Sequence, residues 1–329
     1  MLDALIIIII LAVLFDVSNG WNDSANAIAT VVSTKVLSPL QAVALAAIMN
    51  IAGAFLSTAV AKTIGSGIVD PKVITDGVVM AALMSAFFWN GLMTMAGLPV
   101  SASHALVGGI IGASWSYGGM AILNISGILK IFVALVTSPF LGIIIGFLFM
   151  KLILKTLGGL PPSTLNKNFG KLQIVSSAMM AFGHGSNDAQ KVMGIITMAL
   201  LSKGMISTME VPTWVIFTAA FAMGLGTFMG GWKVIKTLGV QMLKLEPIHG
   251  FAAEASATGI ILAASHVGLP VSTTHVISTA ILGVGATKRL SAVRWGIAGK
   301  IVMAWIFTLP VCIGIAWGIQ RLLAYYHLA

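Results

Sequence analysis

Apolar runs separated by short polar breaks occupy residues 2–16, 22–34, 38–61, 73–96, 100–114 and 121–150. After a longer break they resume at 172–182, 187–201, 212–232, 247–266, 270–286 and 295–323. A helix needs about 20 apolar residues to cross the hydrocarbon of a bilayer, at about 1.5 Å per residue. The runs at 38–61, 73–96, 121–150, 212–232, 247–266 and 295–323 meet that length. Those beginning at Asn22, Val100, Asn187 and Val271 are shorter, and each starts at a polar cluster. Short interrupted segments at matching places in two halves are the usual mark of a binding site between membrane repeats. The pattern therefore predicts an all-α integral membrane protein built from two copies of one unit, with short broken or re-entrant helices meeting near the midplane. Residues 1–150 form the first copy, 151–171 a linker and 172–329 the second.

The polar clusters themselves recur. Residues 19–27 read N-G-W-N-D-S-A-N-A and residues 184–191 read H-G-S-N-D-A-Q-K, so Asn22-Asp23 is echoed by Asn187-Asp188 and Gly20 by Gly185. Further on in each half, G-L-P-V-S-A-S-H at 97–104 is echoed by G-L-P-V-S-T-T-H at 268–275. Two ordered pairs of echoes mark an internal repeat with its chemistry at those four stretches.

Composition narrows the class. Hydrophobic residues make up 58% of the 329 and charged residues 8%, against roughly 25% charged in a soluble domain. Such a chain cannot cover its own surface with polar groups, so its solvent is largely lipid. The start of the chain lacks the basic region of a cleaved leader and runs straight into residues 5–14, read as part of the first membrane helix. One cysteine, Cys312, excludes an intramolecular disulfide and a multi-cysteine metal cluster. The formal charge of +9 fits lysines and arginines gathered on cytoplasmic loops, and no nucleic acid partner is implied.

Charge also orients the halves. Residues 151–171 carry Lys151, Lys155, Lys167 and Lys171 with no acid, and read as a basic cytoplasmic loop. In the first half Lys62 and Lys72 are offset by Asp70 and Asp76, whereas the equivalent stretch of the second half has Lys233, Lys236 and Lys244 against Glu246. Residues 114–120 carry no charge, while their counterparts include Lys288, Arg289 and Arg294. Equivalent loops that differ in basic content face opposite sides of the membrane, which is an inverted repeat.

Asp23 and Asp188 are the costly residues. A charged side chain at a helix centre in the bilayer costs about 2.5–3.5 kcal/mol even on lenient scales, so each needs a cation, a proton or a partner. If 22–32 is helical, Asp23, Asn26 and Thr30 share one face and offer a carboxylate, an amide oxygen and a hydroxyl. These are the hard oxygen donors that small cations prefer, which makes Asp23, Asn26 and Asp188 candidate Na⁺ ligands beside Asn22 and Asn187. Asn-Asp also caps helix starts, and the two roles are compatible. In the other pair, Gly-Leu-Pro breaks the chain and Ser101 or Ser272 can start a new helix whose first N–H groups favour an oxyanion. Ser103, Thr273 and Thr274 add hydroxyls, although simple capping accounts for the same residues. His104 and His275 either donate to that anion or bond a nearby carbonyl. Glu254, alone in an apolar stretch, is functional by default. Lys191 stands where the first copy has Asn26, so it either neutralises a carboxylate or approaches the anion.

These four stretches resemble the duplicated signature of the PiT inorganic phosphate transporters, over nearly the whole chain from Asp16 to about Gly285. The resemblance implies a secondary symporter that imports inorganic phosphate with Na⁺ or H⁺ across the plasma membrane, with no other cofactor, and it allows a homodimer. It also implies that Asp23, Asp188 and Glu254 match acids important for transport, and that the serine-rich segments are re-entrant hairpins holding phosphate. A sulfate permease of the same fold is the main alternative. An anion channel fits the buried acids poorly, and no metal-protease or nucleophile motif points to an enzyme.

Overall fold

A computed structural model describes residues 2–288 and 290–326. Arg289, one of the basic residues counted above, lies outside them. The described residues form α1 (Leu2–Ser33), α2 (Pro39–Ala54), α3 (Ala59–Gly67), α4 (Asp76–Ala96), α5 (Ala102–Gly118) and α6 (Ile125–Leu157). The same order then returns as α7 (Pro162–Ser202), α8 (Thr213–Met229), α9 (Trp232–Lys236, continued by a π turn), α10 (Pro247–His266), α11 (Thr273–Lys288) and α12 (Trp295–Tyr325). Helices α1, α4, α6 and α12 are long and apolar enough to cross a membrane. The pairs α2–α3 and α8–α9 bend by 72° and 62° and are broken spans or re-entrant loops.

Burial is inverted relative to a soluble protein. Ile6, Ile10, Phe132, Phe140, Ile144, Phe221, Leu225, Ile306 and Phe307 are exposed, while Asp23, Asn187, Asp188, Lys191 and Glu254 are at most 1% exposed. Backbone polar groups at membrane depth must be satisfied within helices, so the polar side chains gather where α1, α7, α10 and α11 enclose one another. Helix α7 is buried continuously from His184 to Leu200. It is a core helix rather than a lipid-facing one.

Two expectations are corrected here. Asn22 and Asn187 do not begin short segments: both lie inside the uninterrupted helices α1 and α7. A polar cluster lowers local hydropathy without disturbing the backbone ladder, so a hydropathy break need not be a helix break. The stretch 151–171 is also not a loop. Lysines 151 and 155 close α6, Lys167 and Lys171 lie in α7, and only 158–161 separate the two helices.

The glycines beside the aspartates explain how such long helices pack. A Cβ on Gly20 would lie 2.4 Å from the Met223 carbonyl oxygen, and one on Gly185 would lie 2.1 Å from that of Asn50. Thus α1 seats against α8, and α7 against α2, by backbone-to-backbone approach at equivalent positions. Genuine breaks occur at the second motif pair. Gly97 closes α4 at φ +74° and Gly268 adopts φ +72° after α10, and a proline two residues later forbids resumption. Ser101 and Ser272 then accept from the backbone N–H of His104 and His275, at 3.2 Å in each case, and cap α5 and α11.

Gly185→Val should lower the unfolding midpoint in detergent by several degrees, since overpacking a tight interface costs about 1–3 kcal/mol. Gly259→Val, where a Cβ meets nothing within 4 Å, should leave it unchanged. A thermal melt of the two variants beside the parent protein checks the pair.

Candidate functional site

The starts of α5 and α11 face each other and are tied reciprocally. Ser103 Oγ donates to the Val271 carbonyl at 3.0 Å, and Thr274 Oγ1 lies 3.1 Å from the Val100 carbonyl. These are equivalent bonds exchanged between the two copies, the signature of a local two-fold relation. Behind them the rings of His104 and His275 stack with centroids 4.7 Å apart, and His275 stacks on Trp305 at 4.0 Å. His104 Nδ1 lies 2.8 Å from Ser101 Oγ. Both rings border a cavity of about 340 Å³ lined by Phe132, Phe140, Trp305 and Leu309. The structure thus sets the histidines behind the helix starts, against an apolar crevice.

Asn22 and Asn187 also act as a pair. Asn22 Nδ2 donates to Thr94 Oγ1 at 2.8 Å and to the Leu98 carbonyl at 3.3 Å. Asn187 Nδ2 does the same to Ser265 Oγ at 3.0 Å and the Leu269 carbonyl at 3.4 Å. Each asparagine therefore pins the Gly-Leu-Pro turn of its own half to its long helix. The aspartates one residue on point elsewhere, into the centre.

There Asp23, His184 and Asp188 converge, with one ligand atom from each lying within 4.8 Å of the others. His184 Nε2 is 3.5 Å from Asp23 Oδ2 and 3.5 Å from Asp188 Oδ2. Its tautomer follows from the network behind it. Thr227 gives its hydroxyl proton to the Met223 carbonyl at 2.9 Å, so it accepts from Asn50 Nδ2 at 2.7 Å. That leaves Asn50 Oδ1 facing His184 Nδ1 at 2.9 Å, so Nδ1 carries a proton. Neutral His184 would then aim the Nε2 lone pair at two carboxylates. The arrangement needs positive charge there, as a proton on Nε2 or as a cation among the oxygens.

Helix α11 supplies the rest of this centre. Thr274 Oγ1 is 3.0 Å from Asp23 Oδ1, and Thr273 Oγ1 is 3.3 Å from Asp188 Oδ2. One hydroxyl proton cannot serve both Asp23 and the Val100 carbonyl, so Thr274 chooses between them. Asn26 Nδ2 donates to Thr274 Oγ1 at 3.0 Å and approaches Thr273 Oγ1 at 3.5 Å. Asp23 Oδ2 and Asn26 Oδ1 are buried without hydrogen-bond donors, a disposition that suits a hard cation. Lys191 Nζ lies 2.7 Å from Asp188 Oδ1, an ion-pair contact outside hydrogen-bond angles.

Glu254 forms a separate cluster. Its carboxylate accepts from the hydroxyls of Thr30 and Ser176 and from Gln173 Nε2 at 3.4 Å. The α1 face proposed from sequence is real, but it splits: Asp23 and Asn26 serve the centre, while Thr30 serves Glu254. Seven residues of helix put the clusters roughly 10 Å apart along α1. Sequence reasoning assigns no role to His184, Gln173 or Ser176, and reads Asn50, with Asn90 and Asp16, only as a weaker candidate for interhelical hydrogen bonding. The signal for the α7 residues is a polar stripe at helical spacing through 173, 176, 184, 188 and 191.

Comparison with known proteins places this architecture. The phosphate transporter family matches residues 19–316. A Bacillus subtilis protein described as a probable low-affinity inorganic phosphate transporter is 47% identical over 309 residues, 93% of each chain. A Rhizobium meliloti protein of the same description is 45% identical over 305 residues, covering 92% of this chain and 91% of that one. A solved structure of a sodium-dependent phosphate transporter superposes with a TM-score of 0.90 at 26% identity, over 98% of this chain and 99% of the other. These relatives are transporters, and this chain, an integral membrane protein, belongs to the phosphate transporter family.

Proposed function

We propose that this chain is a secondary symporter that imports inorganic phosphate across the plasma membrane, with a cation held among Asp23, His184 and Asp188 as the coupling ion. The observation that carries this reading is the placement of His184 Nε2 between two buried carboxylates, beside the capped starts of α5 and α11. Helix starts bring unpaired N–H groups and positive dipole ends. A phosphate there would sit beside Asp23 and Asp188 only if positive charge lay between them, so anion and cation would bind together. The sodium dependence named for the structural neighbour supports Na⁺ as the ion. A proton on His184 would meet the same electrostatic need.

In this scheme Asp23 and Asn26 offer the cation its oxygens, and Asp188 faces it across His184. Ser101, Ser103, Ser272, Thr273 and Thr274 position the helix starts; the hydroxyl of Ser272 is left to donate to the anion, and that of Ser101 is too when His104 Nδ1, 2.8 Å away, carries the ring proton. A capping oxygen that accepts an N–H retains its own O–H. Glu254, with Thr30, Ser176 and Gln173, is a second cation or proton position on the path along α1. The two copies, 1–150 and 172–329, are inverted, with residues 151–171 on the cytoplasmic side. The repeated element order and the reciprocal Ser103 and Thr274 bonds support a two-fold relation, and the charge difference between equivalent loops supports its direction.

Phosphate uptake into proteoliposomes, with Na⁺ and pH gradients imposed separately and sulfate as competitor, tests the reading. Phosphate accumulation under one cation gradient, undiminished by sulfate, is the expected result. Absence of uptake under either gradient would refute it. Asp23→Asn and Asp188→Asn should each abolish coupled uptake while the protein remains folded, as judged by its melting profile. Normal transport by both would remove the cation from this centre.

Ser101→Ala and Ser272→Ala should each raise the apparent KM for phosphate about ten- to a hundredfold, because a hydrogen bond to a charged group contributes about 1.5–3 kcal/mol. A lowered melting point with unchanged KM would restrict both serines to capping.

Cysteines at Met120 and Ser291, both exposed, in a Cys312→Ala background should react with an impermeant thiol reagent from opposite sides. Labelling of both from one side would show a parallel repeat.

A further inference from the structure

Helices α1 and α7 bring the same motif to one centre, and one position breaks the match with a charge. Aligning Asn22-Asp23 with Asn187-Asp188 places Asn26 opposite Lys191. Asn26 is neutral, with its Nδ2 turned to Thr273 and Thr274 and its buried Oδ1 without a donor. Lys191 is 1% exposed and holds its ammonium 2.7 Å from Asp188. The two acids therefore differ in what surrounds them. Asp188 is approached by Lys191, His184 and Thr273, whereas Asp23 is approached by His184 and Thr274; each keeps one oxygen outside hydrogen-bond geometry, and only Asp188 Oδ1 has an ammonium beside it. Beside Asp23 the fold leaves the Asn26 amide oxygen buried without a donor, and beside Asp188 it supplies a cation of its own.

Resting on the cation-coupled reading above, we propose that Lys191 is a tethered cation that permanently fills the coupling-ion position of the second half. The mobile cation then binds on the Asp23 side alone. A chain with Asn at 191 would carry one more cation per phosphate. An ammonium and an alkali ion each bring one positive charge to a carboxylate, but the ammonium donates hydrogen bonds, accepts none and cannot leave with the substrate. Lys191 thus sets the coupling ratio without touching the transported anion.

Among the described residues, the other titratable groups buried around this centre are Asp16, Asp23, His184 and Asp188, with His104 and Glu254 farther out. Asp16 is fully buried, and neither of its oxygens has a hydrogen-bond partner. The second half has Ala181 at the equivalent position. Asp16 is therefore the rival partner for Lys191, and the test must include it.

The charge moved per phosphate, from the reversal potential of uptake in proteoliposomes at fixed pH, distinguishes these roles. Lys191→Asn should raise it by about one, and should raise the Hill coefficient for the coupling cation by a similar amount. Lys191→Arg should keep the parent values, and Asp16→Asn should not alter the effect of Lys191→Asn. Parent values in Lys191→Asn would overturn the proposal, as would an added cation that disappears when Asp16→Asn is combined with it. An unchanged charge with a tenfold or greater rise in KM for phosphate would make Lys191 an anion ligand instead.

If Lys191→Asn does not fold, calorimetric titration with Na⁺ at fixed pH, or proton uptake on phosphate addition if Na⁺ is inert, decides through the acids. Asp23→Asn should lose one bound cation and Asp188→Asn should lose none; equal losses would overturn the proposal. A parent protein that accumulates no phosphate refutes the transport reading itself, while a parent that transports and a Lys191→Asn variant indistinguishable from it refutes only the tether.

Discussion

Two carboxylates, Asp23 and Asp188, meet one imidazole nitrogen in a region closed to water, and the remaining structure is arranged so that this meeting can exist. Each acid approaches His184 Nε2 at 3.5 Å, and the proton on Nδ1, fixed through Asn50 and Thr227, turns the other nitrogen toward both negative charges. Two buried like charges at that separation are tolerated only with positive charge between or beside them. Lys191 contributes part of it. The remainder must come from a proton or an ion.

The surrounding packing holds this geometry in place. Gly20 and Gly185 allow α1 and α7 to press against α8 and α2 at backbone contact, so the aspartates three residues on are carried by rigid, crowded helices. Asn22 and Asn187 tie the Gly-Leu-Pro turns to the same helices. The helix starts that follow those turns therefore keep a fixed relation to the acids. Ser103 and Thr274 then bond the two starts to one another. Helices α6 and α12 close on α11 and α5 by the same backbone approach: a Cβ on Gly283 would lie 2.2 Å from the Ile143 carbonyl oxygen, and one on Gly112 2.2 Å from that of Ile313.

Much of this is legible in the sequence. The duplicated Asn-Asp and Gly-Leu-Pro-Val-Ser motifs located the centre, and the cost of an aspartate in lipid explained why it should matter. The helix breaks at Gly97 and Gly268 were readable because glycine and proline act on the backbone itself. The supposed breaks at Asn22 and Asn187 were misread because hydropathy reports side chains, and a helix carries polar side chains without interruption when neighbouring helices receive them. The basic stretch at 151–171 misled similarly: lysines lie on the ends of α6 and α7 as readily as on a loop. His184 escaped because a histidine four residues before an aspartate is unremarkable until a second aspartate arrives from another helix. The division between the Asp23 centre and the Glu254 cluster required knowing that α10 crosses α1 at Thr30.

If positive charge between Asp23 and Asp188 is what admits the anion, phosphate and cation must bind with mutual dependence, each strengthening the other equally. Equilibrium binding of phosphate to the purified protein in detergent, titrated across Na⁺ concentration at fixed pH and across pH without Na⁺, measures that linkage directly. The account predicts a phosphate affinity that rises at least tenfold with one of the two cations, and a matching gain in affinity for that cation when phosphate is present. Phosphate affinity independent of both Na⁺ and pH would contradict it.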